Sequence, residues 1–165
     1  MYQPKDAADA AMYAKVPQLF SRVSPDTDTV LVRAAGQATS MHHAFQGPEH
    51  ILLGFLVKND NPMYDVLRSF GITYESVRPI VEQMHLPVIA KRIVEKYTQS
   101  VLDAIKEAIT IAERDTMATV AQPKHLLAAL LLTGDINVAQ VFDSLRVDRD
   151  ALLAKVIDPS ILAKH

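Results

Sequence analysis

Apolar residues recur along this chain at the spacing of an amphipathic helix. The segments from Leu31 to Met41 and from Leu102 to Ala112 each place an apolar or small residue every three or four positions, which lines one helical face. The chain has only five glycines and 6% aromatic residues, whereas the strong helix formers alanine and leucine are abundant. The pattern therefore predicts an all-α fold.

This helical pattern occurs twice, which indicates an internal duplication. The segment Pro48–Leu56, with a Pro-x-His start and a leucine-rich continuation, is matched 75 residues later (123 − 48 = 75) by Pro123–Leu131. The same offset relates Val66–Phe70 to Val141–Leu145. A repeat of this kind predicts two copies of one helical unit that superimpose helix for helix about a pseudo-two-fold axis.

Each copy is predicted to contain four helices. The first is the amphipathic segment, and the second begins at Pro48 or Pro123, because proline suits the first helical turn, where its missing N–H has no partner to lose. Thr73 and Asp148 are the predicted N-caps of the fourth helices. The other predicted bounds are Val66–Phe70 and Val138–Leu145 for the third helices, and Tyr74–Met84 and Arg149–Ile157 for the fourth.

The chain is predicted to divide into four parts. Residues 1–21 form an N-terminal extension, in which the alanine-rich segment from Asp6 to Lys15 predicts an additional helix ended by Pro17. Repeat one covers 22–86, a linker and repeat two cover 87–158, and 159–165 form a tail. We expect residues 22–158 to fold as one domain.

Composition argues against nucleic-acid and membrane partners. The formal charge is −2, and neither half has a basic excess (7 − 9 = −2 up to Gln83, 10 − 10 = 0 beyond it), whereas nucleic-acid binders gain most of their affinity from a basic face. The longest strongly apolar run, Leu126–Leu132, is far too short for a membrane span, and the N-terminus has no signal-peptide pattern. We therefore expect a cytoplasmic protein.

Sequence motifs for catalysis and for cofactor binding are absent. The chain has no Gly-x-x-x-x-Gly-Lys-Ser/Thr phosphate loop, no dinucleotide fingerprint and no Gly-x-Ser-x-Gly nucleophile elbow. The absence of cysteine excludes disulfides, thiolate nucleophiles and cysteine-based zinc sites. We therefore expect no cofactor, no catalytic residue and no enzymatic activity, and an enzyme that uses His50 or His125 is the least supported alternative.

One histidine-rich segment has the residue types of a metal site. The segment His42–His50 holds three histidines and Glu49, but it contains no His-Glu-x-x-His motif and it crosses a predicted turn. His50 recurs as His125, where Lys124, a cation that repels metal, replaces Glu49. We therefore predict no metal site and interpret His50 and His125 as structural side chains that bond a turn or a backbone group.

The paired motifs resemble the Clp N-terminal repeat. In copy one the resemblance rests on Ser24 at the start of the first helix, on the spaced alanines Ala34 and Ala38, and on the segments Glu49–Gly54 and Val66–Ile72. In copy two the matching positions are Thr98, Ala108, Ala112, His125–Leu130 and Val141–Val147. The resemblance covers about Arg22 to Ile157, and it implies a pseudo-two-fold bundle of two four-helix repeats.

The resemblance also implies a non-catalytic, protein-binding role. In the Clp family this domain sits on an ATP-driven unfoldase ring that feeds a protease, and it docks adaptors and substrates. The present chain carries no ATPase module, so it looks like the stand-alone members, which serve as adaptor, substrate receptor or accessory and regulatory subunit. The alternative is an offshoot of the family that binds an unrelated protein, or a small molecule between the two repeats.

Some Clp unfoldases hold a phosphoarginine pocket in each repeat, and the resemblance carries this to particular residues. In copy one Arg22, Ser24 and Glu49 match the pocket positions, with Glu49 as the carboxylate that would pair with the guanidinium. In copy two the matching residues are Lys96, Thr98 and Lys124, and the second pocket is predicted to be weaker because Lys124 replaces the carboxylate.

Overall fold

Helices make up nearly all of the regular structure in the part of the chain that the structure describes. The computed structural model describes residues 6–84, 93–94, 96–115 and 120–162. Within them the helices are α1 (Ala7–Phe20), α2 (Pro25–Ser40), α3 (Pro48–Leu56), α4 (Pro62–Ser69), α5 (Tyr74–Glu82), α6 (Gln99–Arg114), α7 (Pro123–Leu132), α8 (Ile136–Ser144), α9 (Arg149–Val156) and α10 (Pro159–Leu162). The two-residue strands β1 (Ile93–Val94) and β2 (Tyr97–Thr98) pair antiparallel. The predicted all-α fold with an extra N-terminal helix is confirmed.

The four helices of copy one are matched one for one in copy two. Helices α2 and α6 are both 16 residues long, and α3 with 9 residues corresponds to α7 with 10. In both copies the first helix packs on the second and the second packs on the fourth. The equivalence follows from the duplicated apolar pattern, because the same faces of the same helices must be buried in each copy.

Contacts between the copies obey the same equivalence. Helix α3 contacts α8 and α6, and its counterpart α7 contacts α4 and α2. In the same way α5 contacts α8 while α9 contacts α4. Because each contact is repeated with the roles of the copies exchanged, the two repeats are related by a pseudo-two-fold axis.

Capping residues explain where the helices of each copy begin. The hydroxyl of Ser24 accepts a hydrogen bond from the amide of Thr27 at 3.1 Å, and the hydroxyl of Thr98 accepts one from the amide of Val101 at 3.4 Å. These bonds satisfy amides that have no partner inside the helix. Pro48 and Pro123 occupy the first turns of α3 and α7, as predicted.

The leucine-rich helices α3 and α7 lie in the core. The residues that line their faces are at most 2% exposed: Leu52, Leu53, Leu56, Leu126, Leu127 and Leu130. They belong to one continuous set of buried side chains drawn from both copies. No single helix among the described residues is long and apolar enough to cross a membrane; α7 and α8 reach that length and composition only together, and they are bent by 92° at their junction.

Several helix bounds differ from those predicted. Helix α1 continues through Pro17 to Phe20 although proline was expected to end it; the lost backbone bond is offset by the packing of Leu19 and Phe20 on the core. Helix α4 begins at Pro62, not Val66, because Asn61 caps it by accepting a bond from the amide of Met63. Residues 85–92 and 95, which include the end of predicted repeat one and the first part of the predicted linker, lie outside the described residues.

Candidate functional site

The N-terminal ends of the helices meet in pairs across the two copies. At the first junction, residues 22–24 and 121–122, the amide of Ser24 donates to the carbonyl of Ala121 and the amide of Ala121 donates to the carbonyl of Arg22, both at 2.9 Å. The start of α2 therefore lies beside the start of α7. Two helix N-termini at one place concentrate partial positive charge and favour an anionic group.

The second junction, residues 96–98 and 46–47, repeats this arrangement with the copies exchanged. The amide of Gln46 donates to the carbonyl of Lys96 at 2.8 Å, and the amide of Thr98 donates to the carbonyl of Gln46 at 3.1 Å. The start of α6 therefore lies beside the start of α3. Each junction thus joins the first helix of one copy to the second helix of the other.

This exchange regroups the residues for which a phosphoarginine pocket was predicted. Arg22 and Ser24 lie at the first junction, where the neighbouring helix start carries Lys124. Lys96 and Thr98 lie at the second junction, where the neighbouring helix start carries Glu49. The backbone bonds run to Ala121 and Gln46, and they therefore place the cap residues of each copy beside the helix start that carries the Lys or Glu of the other copy.

The charged residues at the first junction already form ion pairs with neighbouring side chains. The guanidinium of Arg22 pairs with the carboxylate of Glu113 at 2.7 Å, and both side chains are about half exposed. The ammonium of Lys124 lies 3.2 Å from a carboxylate oxygen of Asp115. The hydroxyl of Ser24, buried at 4% exposure, is bonded to the hydroxyl of Thr27 at 2.9 Å as well as to its amide.

Glu49 at the second junction is buried at 1% exposure. Its side chain folds back over Gly47, so that a Cβ added at Gly47 would lie 2.5 Å from both carboxylate oxygens. One of these oxygens lies 3.6 Å from Nδ1 of His50. A guanidinium can therefore reach this carboxylate only if the side chain of Glu49 turns outwards.

His50 caps α3 with its ring. The amide of Gly47 donates to Nδ1 at 2.9 Å, so Nε2 carries the ring proton and donates to Nδ1 of His43 at 2.8 Å. Burial lowers the pKa of His50 to about 4, and electrostatic repulsion from His43 is the second cause of this shift. The ring is therefore neutral at physiological pH and bonds a backbone amide, which is the type of contact expected of a structural side chain.

His125 caps α7 in the same way but with a different second partner. The amide of Gln122 donates to Nδ1 at 2.9 Å, and Nε2 donates to a carboxylate oxygen of Asp115 at 3.1 Å. Burial lowers the pKa of His125, and the hydrogen bond to Asp115 opposes that effect. Among the described residues no group of three or more His, Asp or Glu side chains is arranged to hold a metal ion.

A groove between α1 and α6 was not expected from the sequence. Its volume is about 300 Å³, and its charged and apolar lining residues are Lys15, Leu19, Arg22, Lys106, Ile109 and Glu113. A further cavity of about 260 Å³ lies between Ser100 and Asp103 of α6 and Thr133 and Asp135 of the loop between α7 and α8. The groove depends on α1 packing against α6, and the alanine-rich sequence of α1 does not indicate where that helix docks.

Comparison with known proteins agrees with the duplicated fold. Residues 22–88 match the model of the Clp repeat (R) N-terminal domain. The N-terminal domain of the Clp-protease-associated chaperone ClpD from Arabidopsis thaliana superimposes with a TM-score of 0.69 at 18% identity, covering 83% of this chain and 93% of that one. The Hsp104 N-terminal domain from Candida albicans gives 0.59 at 16% identity, covering 84% and 91%.

Curated relatives are far longer than this chain. A probable ATP-dependent Clp protease ATP-binding subunit from Chlamydia pneumoniae is 25% identical over 79% of this chain, which is 16% of its own length. A ClpA homologue from Cyanidium caldarium is 29% identical over 88% of this chain, again only 17% of its own length. Residues 22–88 therefore belong to the Clp repeat N-terminal domain family, and the described chain has the fold of a Clp N-terminal domain.

Proposed function

We propose that the chain is a non-catalytic protein-binding module that serves a Clp-type ATP-dependent protease or unfoldase as adaptor, substrate receptor or accessory subunit. The observation that carries the proposal is the pseudo-two-fold pair of Clp-type repeats, with the family match over residues 22–88. The curated relatives are named as ATP-binding subunits of Clp proteases. A cytoplasmic location, expected from the sequence, stays part of the proposal.

The use of the polar side chains at the junctions supports a non-catalytic role. The hydroxyl of Ser24 is bonded within its own cap, and the ring of His50 is bonded to a backbone amide and to His43. A catalytic nucleophile needs a base within hydrogen-bond distance of its hydroxyl, and these contacts within the described residues provide none. Structural capping accounts for these groups without a reaction.

We extend the proposal to a ligand pocket at each junction. At the second junction Lys96 and the cap of Thr98 would receive the phosphate of a phosphoarginine side chain, and Glu49 would take the guanidinium after turning away from Gly47. At the first junction Arg22 and Ser24 would receive the phosphate, but Lys124 would oppose the guanidinium as a like charge. The second junction is therefore the better pocket, and the cost of exposing Glu49 keeps its affinity low.

Reconstitution with the Clp machinery of the native cell tests the main proposal. The tagged chain is used to purify its partners, and the Clp ATPase and protease subunits are quantified and then assayed with a fluorescent substrate. We expect the subunits to co-purify and the degradation rate to change saturably with added chain, while the chain itself stays intact.

Two results would contradict the proposal. Degradation of the chain at the rate of the fluorescent substrate would make it a substrate and not an accessory subunit. Recovery of an unrelated protein, with no Clp subunit and no effect on degradation, would support the alternative of a family offshoot with a different partner.

A further inference from the structure

We propose that the groove between α1 and α6 binds an acidic peptide segment of a partner protein. The groove is distinct from the pockets proposed at the junctions, with which it shares only Arg22. The proposal rests on the protein-binding role proposed above, but it names a second surface and the chemistry of its occupant. Three observations carry it, namely the charge of the groove, its apolar floor and its volume.

The charge of the groove is opposite to that of the chain. Lys15, Arg22 and Lys106 face one carboxylate, Glu113, which leaves an excess of two positive charges (3 − 1 = 2) in a chain of net charge −2. Arg22 is paired with Glu113, whereas the described contacts give neither lysine a carboxylate partner. A cleft lined by one sign of charge focuses the field and attracts the opposite charge.

The floor of the groove is apolar. Ile109 of α6 is 6% exposed, and Leu19 of α1, which also lines the groove, is partly buried against the core. The hydroxyl of Thr110, which also lines the groove, donates to the carbonyl of Lys106 and so does not place an unsatisfied donor there. An occupant that carries apolar side chains between its charges therefore suits this surface better than a bare anion.

The size and charge of the groove select among anionic partners. A volume of about 300 Å³ lies at the lower end of the range for ligand pockets, and it accommodates a short stretch of side chains. A nucleic acid requires a longer run of cations, because its affinity scales with the number of phosphates neutralised. A short peptide that alternates acidic and apolar residues matches both the cationic side chains of the groove and its apolar floor.

In the groove, the carboxylate of Glu113 competes with a peptide carboxylate for the guanidinium of Arg22. Both side chains are about half exposed, so a carboxylate of the peptide can replace that of Glu113 on the guanidinium. Removing the negative charge of Glu113 should therefore strengthen binding, whereas reversing the charge of a groove lysine should weaken it. A site that held the peptide by apolar contact alone would respond to neither change.

Fluorescence anisotropy of the full chain with two labelled peptides tests the proposal. One peptide alternates Glu and Leu, and the other replaces each Glu by Gln. We expect the Glu peptide to bind, Lys106→Glu to weaken binding roughly tenfold, and Glu113→Gln to tighten it roughly threefold at low salt. The matched control Lys155→Glu, a charge reversal on the exposed face of α9, should change the affinity less than about twofold.

Three outcomes would overturn the proposal. Equal binding of the Gln peptide would mean that only apolar contact is involved. Inorganic phosphate that binds and competes as well as the Glu peptide would reduce the groove to an anion site. Equal effects of Lys106→Glu and Lys155→Glu would show that only overall charge matters.

These outcomes are independent of the Clp proposal. Peptide binding without any effect on Clp-dependent degradation would preserve the groove and contradict the Clp role. An effect on Clp-dependent degradation without peptide binding would support the Clp role and contradict the proposal for the groove.

Discussion

At the scale of single residues, two equivalent histidines perform the same task with different neighbours. Both rings accept a hydrogen bond from the backbone amide at the start of a leucine-rich helix, at 2.9 Å in each copy. The second ring nitrogen of His50 donates to another histidine, whereas that of His125 donates to the carboxylate of Asp115. A carboxylate favours the imidazolium and a second histidine disfavours it, so the two caps respond differently to acid.

We predict that the cap made by His50 loses its stabilising effect in mild acid. The pKa of His50 is about 4 in the folded chain against 6.5 for an unperturbed ring, because burial and His43 disfavour its protonated form. Below pH 6.5 the unfolded chain binds a proton that the folded chain does not take up until about pH 4. The contribution of neutral His50 to the free energy of unfolding is therefore complete above pH 6.5. It is lost as the pH falls towards 4, and the total loss is on the order of 3 kcal/mol.

Urea denaturation across this pH range measures the effect. In His50→Asn, which keeps an acceptor near the amide of Gly47 but has no titrating ring, the decrease in unfolding free energy with falling pH should be smaller than in the unmodified chain. The control is His42→Asn at an exposed residue with φ of 59°, a backbone conformation that asparagine tolerates. A pH dependence that is unchanged in His50→Asn would contradict the prediction.

At the scale of elements, the crossing of α2 and α3 depends on a missing side chain. A Cβ at Gly54 would lie 2.4 Å from the carbonyl oxygen of Val30 and 3.2 Å from the amide nitrogen of Ala34. Both atoms belong to the backbone of α2, so the two helices would have to separate. Copy two carries Ala129 at the matching position, which shows that α6 and α7 leave room for a methyl group where α2 and α3 do not.

We predict opposite effects of alanine at two helical glycines. Gly54→Ala should lower the unfolding free energy by roughly 1–3 kcal/mol through overpacking. Gly36→Ala, in α2 where the added Cβ would meet nothing within 4 Å apart from its chain neighbours and the adjacent backbone of its own helix, should raise it by up to ~1 kcal/mol through helix propensity. Urea denaturation of both variants checks the pair, and a Gly54→Ala chain as stable as Gly36→Ala would refute the close crossing.

The elements also show how far a sequence of this kind predicts structure. The eight repeat helices were predictable because their apolar spacing, prolines and caps agree and occur twice. Helices α4 and α8 begin at Pro62 and Ile136, before the predicted starts, since the caps at Asn61 and Asp135 precede the apolar residues on which the predicted starts rest. The passage of α1 through Pro17 could not be predicted, because it depends on tertiary packing of Leu19 and Phe20 on the core.

At the scale of the whole molecule, the candidate pockets are products of both copies. The resemblance indicates which residues form the candidate pockets, but a single sequence does not show how those residues are grouped. Alignment of one repeat with another places Ser24 and Glu49 in the same copy. The backbone bonds across the junctions instead join Ser24 to Ala121 and Thr98 to Gln46, and contacts of that range leave no trace in a single sequence.

We predict that phosphoarginine binds at the second junction in preference to the first. In a titration followed by NMR, shifts should occur together at Lys96, Thr98 and Glu49, and Glu49→Gln should abolish them by removing the partner of the guanidinium. The variant Lys124→Glu is the matched gain-of-function control, because it supplies a carboxylate beside Ser24.

The controls separate three results. Joint shifts of Arg22, Ser24 and Glu49 in the unmodified chain would restore the grouping inferred from sequence. An absence of shifts at millimolar phosphoarginine would remove the pocket altogether. Lys124→Glu should add shifts at Arg22 and Ser24. If these residues show no shifts in that variant, the missing carboxylate does not explain the weak binding at the first junction.

The exchanged pairing at the two junctions carries an evolutionary consequence. Each repeat offers backbone groups at the start of its first helix that only the other repeat satisfies. An ancestral single repeat would have met this need with a second molecule of itself, as a homodimer with two identical interfaces. Fusion of two copies of such a gene would free the interfaces to diverge, which would account for Glu49 and Lys124 at equivalent positions with opposite charge.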